Sequence, residues 1–139
     1  MHIHVNAVPA QGLERHARYD PAPLDMERQD VRLREPFEVS AVITRVEGTL
    51  FVQAAIRCPL RLLCARCLEE FDRAVVLNTA FNYRVRPTDV VDITDDVRQE
   101  ILLAYPMIPI CNADCKGLCR SCGQNLNHGA CDCHQRRRQ

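Results

Sequence analysis

Six of the nine cysteines of this 139-residue chain fall between Cys111 and Cys133. The stretch reads Cys111-Asn-Ala-Asp-Cys115-Lys-Gly-Leu-Cys119-Arg-Ser-Cys122-Gly-Gln-Asn-Leu-Asn-His-Gly-Ala-Cys131-Asp-Cys133 and holds three of the five glycines. Leu118 and Leu126 are nearly its only sizeable apolar side chains. Burial therefore cannot order it, and a covalent or metal cross-link must. Cys119 and Cys122 are followed by Gly123, the pattern of a tight turn whose N–H groups point at sulfur and lower the thiolate pKa. Cys131 and Cys133 form a second pair whose side chains share one face of an extended segment. Cys119, Cys122, Cys131 and Cys133 thus compose a closed four-thiolate set, as in structural zinc sites, with no open position for chemistry. Iron–sulfur binding is the main rival, although Cys-x-Cys spacing departs from the usual ferredoxin runs.

A further pair, Cys64-Ala-Arg-Cys67, has the spacing of a zinc knuckle and needs two more ligands. Cys111 and Cys115 can supply them, riveting the tail to the knuckle. Two arrangements compete with this: Cys111 or Cys115 joins the tail set, or one pair stays reduced and free. His128 and His134 could each replace a thiolate. Cys58, next to Pro59, reads as a small core residue. A redox use of Cys64 and Cys67 would need the first cysteine at a helix N-terminus inside a βαβ pattern. Here a strand follows.

The elements that must position these residues come next. Residues 1–35 mix charges with Pro9, Pro21 and Pro23, and read as an extended N-terminal arm with Leu24 and Val31 able to dock. Residues 36–110 read as a β-rich core. A hairpin joins strands at about 37–46 and 49–57 through Glu47-Gly48. In its second strand Leu50, Val52, Ala54 and Ile56 share the buried face. A third strand around 60–63 enters the knuckle. A fourth starts at Phe71, and its odd positions through Val85 are mostly apolar. A helix is expected over about 95–105, with Thr94 as N-cap and Val97, Ile101, Ala104 and Tyr105 as its packing stripe, ended by Pro106. Residues 111–139 form the cysteine-rich tail. The fold class is α+β: an antiparallel β-sheet of four or more strands, one packed helix and a zinc-ribbon-like C-terminal tail.

Eighteen basic residues balance eighteen acidic ones, which removes the whole-chain signature of a simple nucleic-acid binder. The N-terminus lacks the basic and apolar regions of a signal peptide, and no apolar run of about 18 residues occurs, so a soluble cytoplasmic protein is expected. Cytosolic thiols stay reduced, which disfavours a disulfide framework. No Ser/His/Asp set, phosphate-cradling glycine loop or paired catalytic carboxylate stands out.

The chain resembles the bacterial YceD family, associated with accumulation of large-subunit ribosomal RNA. The residues that carry the resemblance are Cys64-Ala-Arg-Cys67-Leu68 with Phe71, the stretch from Asp96 to Met107, Cys115-Lys-Gly-Leu-Cys119 through Cys122-Gly123, Asn125-Leu-Asn127 and Cys131-Asp-Cys133. It departs from the family pattern at Arg120, often Pro, and at Tyr105, often Leu. Some members of the family lack the cysteine-rich tail, which implies that metal stabilises the fold and does not perform the common function. The resemblance implies a non-enzymatic ribosome-biogenesis factor whose partners are large-subunit ribosomal RNA or its precursor, or ribosomal proteins, and the cysteine clusters themselves predict one or two zinc ions as cofactor. On that reading Arg61, Arg66, Arg73, Arg120, Arg136, Arg137 and Arg138 are candidate contacts to RNA phosphate, and the bland alternative is that they keep the surface soluble. Two competing functions are a thiol-disulfide oxidoreductase using Cys64 and Cys67, and a protein-docking zinc module without an RNA role.

Overall fold

Alternation of buried and more exposed side chains runs along Phe37–Val46 and Thr49–Leu63, the strands on which the computed structural model is built. Residues 1–133 are described. In chain order the elements are β1 (His2–His4), β2 (Leu13–Tyr19), β3 (Val31–Arg32), β4 (Phe37–Val46), β5 (Thr49–Leu63), β6 (Glu70–Arg84), β7 (Val90–Asp92) and one helix, α1 (Thr94–Leu103). The β4–β5 turn is Glu47-Gly48 with both residues at positive φ, 44° and 79°, the combination that matches the twist of a two-residue hairpin.

β5 is the spine of the larger sheet. β6 pairs with it along all 15 residues on one side. On its other side lie β4, opposite Thr49 to Arg57, and then β3, opposite Arg61 and Leu62. The sequence suggests two strands, 49–57 and 60–63, but β5 is continuous through Pro59. The reason is local. The Leu63 amide donates to the Asp30 carbonyl, so odd-numbered amides of β5 face the β3/β4 side. The N–H that Pro59 lacks would point into the gap between β4 and β3, where no ladder bond is lost.

The even positions of β5, Leu50 through Leu62, are at most 3% exposed and form the core floor. α1 closes it from above with Val97 and Ile101, one turn apart and fully buried. The Tyr105 hydroxyl donates to the Met26 carbonyl at 2.9 Å, and Arg98 donates to the carbonyls of Leu24 and Asp25, tying the helix to the N-terminal segment. Thr94 is not the N-cap. It is the first helical residue, and its hydroxyl donates to Asp92, whose carboxylate also accepts from the Thr94 amide.

Residues 1–35, expected as an arm, are built into the sheets. β2 pairs with β4 from Leu13 opposite Ile43 to Tyr19 opposite Phe37, and the two rings stack at 5.2 Å. β1 pairs with β7 in a separate two-stranded sheet. Pro21-Ala-Pro23 is not extended: Ala22–Leu24 form a 3-10 turn. Cys58 is a core residue without exposure, and burial pushes its thiol up to about 12.

Replacing Ile101 by Ala removes the helix's central contact and is expected to destabilise the fold by about 2–5 kcal/mol, measured by chemical denaturation. In thiol titration at pH 8 of metal-free protein, Cys58 should stay silent until denaturant is added.

Candidate metal centres

The nine cysteines divide into the lone Cys58 and two tetrads, Cys64, Cys67, Cys111, Cys115 and Cys119, Cys122, Cys131, Cys133, each with all four sulfurs within 4.8 Å of one another. Of the arrangements the spacing leaves open, the structure adopts the one in which the tail returns to the knuckle.

The knuckle site is assembled by the turn between β5 and β6. The Leu68 amide donates to the Cys64 carbonyl at 3.0 Å and the Cys64 amide to the Glu69 carbonyl at 2.9 Å, a closure that needs positive φ at Leu68. The tail arrives as an extended segment, with the Ala65 amide donating to the Pro109 carbonyl at 2.8 Å. This sets the Cys64 and Cys115 sulfurs 3.8 Å apart and those of Cys67 and Cys111 3.9 Å apart. A tetrahedral ion with metal–sulfur bonds of about 2.3 Å places its sulfurs ~3.8 Å apart, whereas a disulfide needs about 2.0 Å. The spacing suits an ion. Cys64, Cys67 and Cys115 are at most 5% exposed and Cys111 is half-buried, so most of this site is shielded from water.

The tail site rests on a second tight turn. The Gly123 amide donates to the Cys119 carbonyl, the Cys119 amide to the Gln124 carbonyl, and the Ser121 amide points at the Cys119 sulfur at 3.4 Å. Cys122 is exposed, and Cys131 and Cys133 are half-buried, so this site is more open to water than the knuckle site.

Electrostatics prepare both sets for a cation. Burial works against the Cys64 thiolate, but amides including those of Cys67, Cys111 and Arg66 outweigh it and lower its pKa to about 6. Cys119 is lowered to about 6 chiefly by the Cys122 and Ser121 amides. Cys111 is pushed up to about 12, by burial first and then by its neighbouring thiols. Negative charge therefore concentrates on some sulfurs while others resist it, and a positive ion among them removes that conflict.

Asn127, which lies in the chain between Cys122 and Cys131, reaches the knuckle site. Its side-chain amide donates to the Cys115 sulfur at 3.3 Å, and its carbonyl oxygen accepts from the Lys116 amide at 2.8 Å. Gly117 lies where the tail backbone crosses the knuckle: at φ 72°, an added Cβ would sit 3.1 Å from the Arg66 carbonyl oxygen. His128 is not in either tetrad; its ring contacts the Glu69 carboxylate. His134 lies outside the described residues.

The candidate arginines work inward first. Arg61 is held between Glu70 at 3.1 Å and Asp72 at 2.8 Å. Arg66 donates to the Cys115 carbonyl and Arg73 to the Ile110 carbonyl, each at 3.2 Å, so both fasten the tail to the sheet. Arg120 is exposed beside the tail site. Arg136, Arg137 and Arg138 lie outside the described residues.

Asn127→Ala should lower metal affinity at the knuckle site by about 10–100-fold while leaving the tail site filled, since support behind a ligand is worth about that much. Competition with a chromogenic chelator reads both sites. Gly117→Ala should loosen the same junction, read as faster metal release.

Residues 82–139 match the family described as "Large ribosomal RNA subunit accumulation protein YceD". An uncharacterized protein of Mycobacterium leprae is 30% identical over 107 residues, covering 66% of this chain and 49% of the relative. The "Large ribosomal RNA subunit accumulation protein YCED homolog 1, chloroplastic" of Zea mays is 25% identical over 147 residues, covering 74% of this chain and 50% of the relative. Its Arabidopsis thaliana namesake is 42% identical over 43 residues, 31% of this chain and 13% of the relative. The chain thus spans about half the length of the first two relatives. No solved structure matches. The family match takes in the helix, the returning segment and every cysteine of the tail, so the C-terminal part of this chain is similar to the YceD family.

Proposed function

We propose that this chain is a non-enzymatic, cytoplasmic factor that supports accumulation of large-subunit ribosomal RNA by binding, with a structural zinc ion in each cysteine tetrad. The observation that carries the reading is the family match over residues 82–139, the segment that holds both halves of the tail. Zinc suits the donors: eight thiolates in two closed sets, four-coordinate and without an open position, are a structural and not a catalytic arrangement. Metal would supply cross-linking energy to a segment with almost no core of its own. Cys64, Cys67, Cys111 and Cys115 would hold one ion, and Cys119, Cys122, Cys131 and Cys133 the other. No helix among the described residues is long and apolar enough to cross a membrane.

The binding reading gains over a thiol oxidoreductase from the position of Cys64. It is fully buried at a strand-to-strand turn, whereas a redox cysteine is exposed at a helix N-terminus. RNA contact falls to Arg120, exposed beside the tail site, and to the run Arg136 to Arg138, while Arg61, Arg66 and Arg73 shape the surface on which the tail sits.

Deleting the gene in its host should lower large-subunit relative to small-subunit ribosomal RNA, and the wild-type gene should restore it; an unchanged ratio would overturn the function. Changing Arg120 and Arg136 to Arg138 to Glu should weaken binding to large-subunit RNA fragments by about tenfold or more and flatten its salt dependence. Binding that ignores both salt and charge reversal would remove RNA phosphate as the ligand.

A further inference from the structure

β6 is an edge strand, and an unusual one. The Val85 amide donates to the Gly48 carbonyl, so odd-numbered amides of β6 face β5 and the even-numbered N–H and C=O groups face outward. Among the described residues, no backbone partner meets the outward groups of Ala74, Val76, Asn78, Ala80 and Asn82. Soluble proteins blunt long free edges with lysine, proline, bulges or short strands. β6 has 15 residues and pairs with β5 in one unbroken register. From Ala74 to Tyr83 it contains no charge, no proline and no glycine. Val76 is 63% exposed on this edge. A strand with these properties is a template for another strand.

The charges at its two ends identify the partner. Asp72 and Arg84 are the nearest charged side chains beyond the neutral run on the outer face, and they stand equidistant from Asn78. In an antiparallel pair of two copies centred on Asn78, Asn78 faces its own equivalent and Val76 faces Ala80. Arg84 then faces Asp72 of the other copy, twice over by symmetry. On the inner face Val75 meets Phe81 and Leu77 meets Thr79, which extends the apolar layer across the junction. Centring on an outward-pointing residue also gives the correct hydrogen-bond phase, because each even residue then exchanges both backbone bonds with an even residue opposite. Asp72 already accepts from Arg61 of its own strand pair, so the junction would read Arg61, Asp72, Arg84 across three strands, a row of alternating charge.

We infer that β6 is a self-recognition edge through which two copies of this chain form a two-fold dimer with one continuous sheet. A strand of some other protein would not need charges placed symmetrically about Asn78; a second copy does.

The test is light scattering on the full, metal-loaded chain across a concentration series, with three variants. Wild type should show a monomer–dimer equilibrium. Asn78→Lys sets two lysines opposite each other at the axis and should weaken the dimer by about tenfold or more, with far-UV circular dichroism and bound metal unchanged. Asp72→Arg and Arg84→Asp should each weaken it, and the double variant should recover it relative to either single one. A chain that is monomeric at all concentrations, including one that takes a strand only from another protein, would overturn the inference. So would a dimer indifferent to Asn78→Lys, or one that the charge swap fails to recover.

Discussion

Four sulfurs at the end of the β5–β6 hairpin hold this molecule's two unlike halves together. Cys64 and Cys67 belong to the sheet, Cys111 and Cys115 to the tail, and neither pair could bind an ion alone. The sheet side is rigid because the turn that carries its cysteines is continuous with the two longest strands. The tail side has no core and gains its order from the junction. Arg66, Arg73 and His128 reinforce that junction from the periphery, and Asn127 bonds the Cys115 sulfur and the Lys116 amide. Exposed ion pairs such as His128 with Glu69 contribute little by themselves. The sulfur cluster decides whether the tail is docked.

This dependence explains why the cysteines do not read as an active site. Three of the four knuckle cysteines are buried, and an ion held by all four sulfurs would have no free position for a substrate. What the junction provides is a surface: a tail with exposed Lys116 and Arg120 set against the sheet.

The sequence reveals those parts of the fold in which one physical requirement acts alone. Cysteine spacing separates the tail set, because so few other side chains there could order the backbone. Period-two alternation reveals β4, most of β5 and β6, and the Val97 to Tyr105 stripe reveals α1, because each has one face in the core. β2 hides because it is an edge strand whose inner face is only half-buried, so Leu13-Glu-Arg-His-Ala-Arg-Tyr19 carries only a weak alternation. β5 appears divided because Pro59 usually ends a strand, and only the offset of β3 from β4 makes it harmless. Thr94 looks like a cap because it precedes two acidic residues; its hydroxyl is claimed instead by Asp92. The pairing of the knuckle with Cys111 and Cys115 is decided by the path of Pro109 along Ala65, a long-range contact that no local pattern encodes.

The central claim is that metal at the sheet–tail junction is distinct from metal within the tail. Elemental analysis of wild type beside Cys64→Ser tests it most directly. Two ions per chain falling to one, with the tail site retained, is the predicted result for two independent tetrads. One ion in wild type, unchanged by Cys64→Ser, would contradict the account.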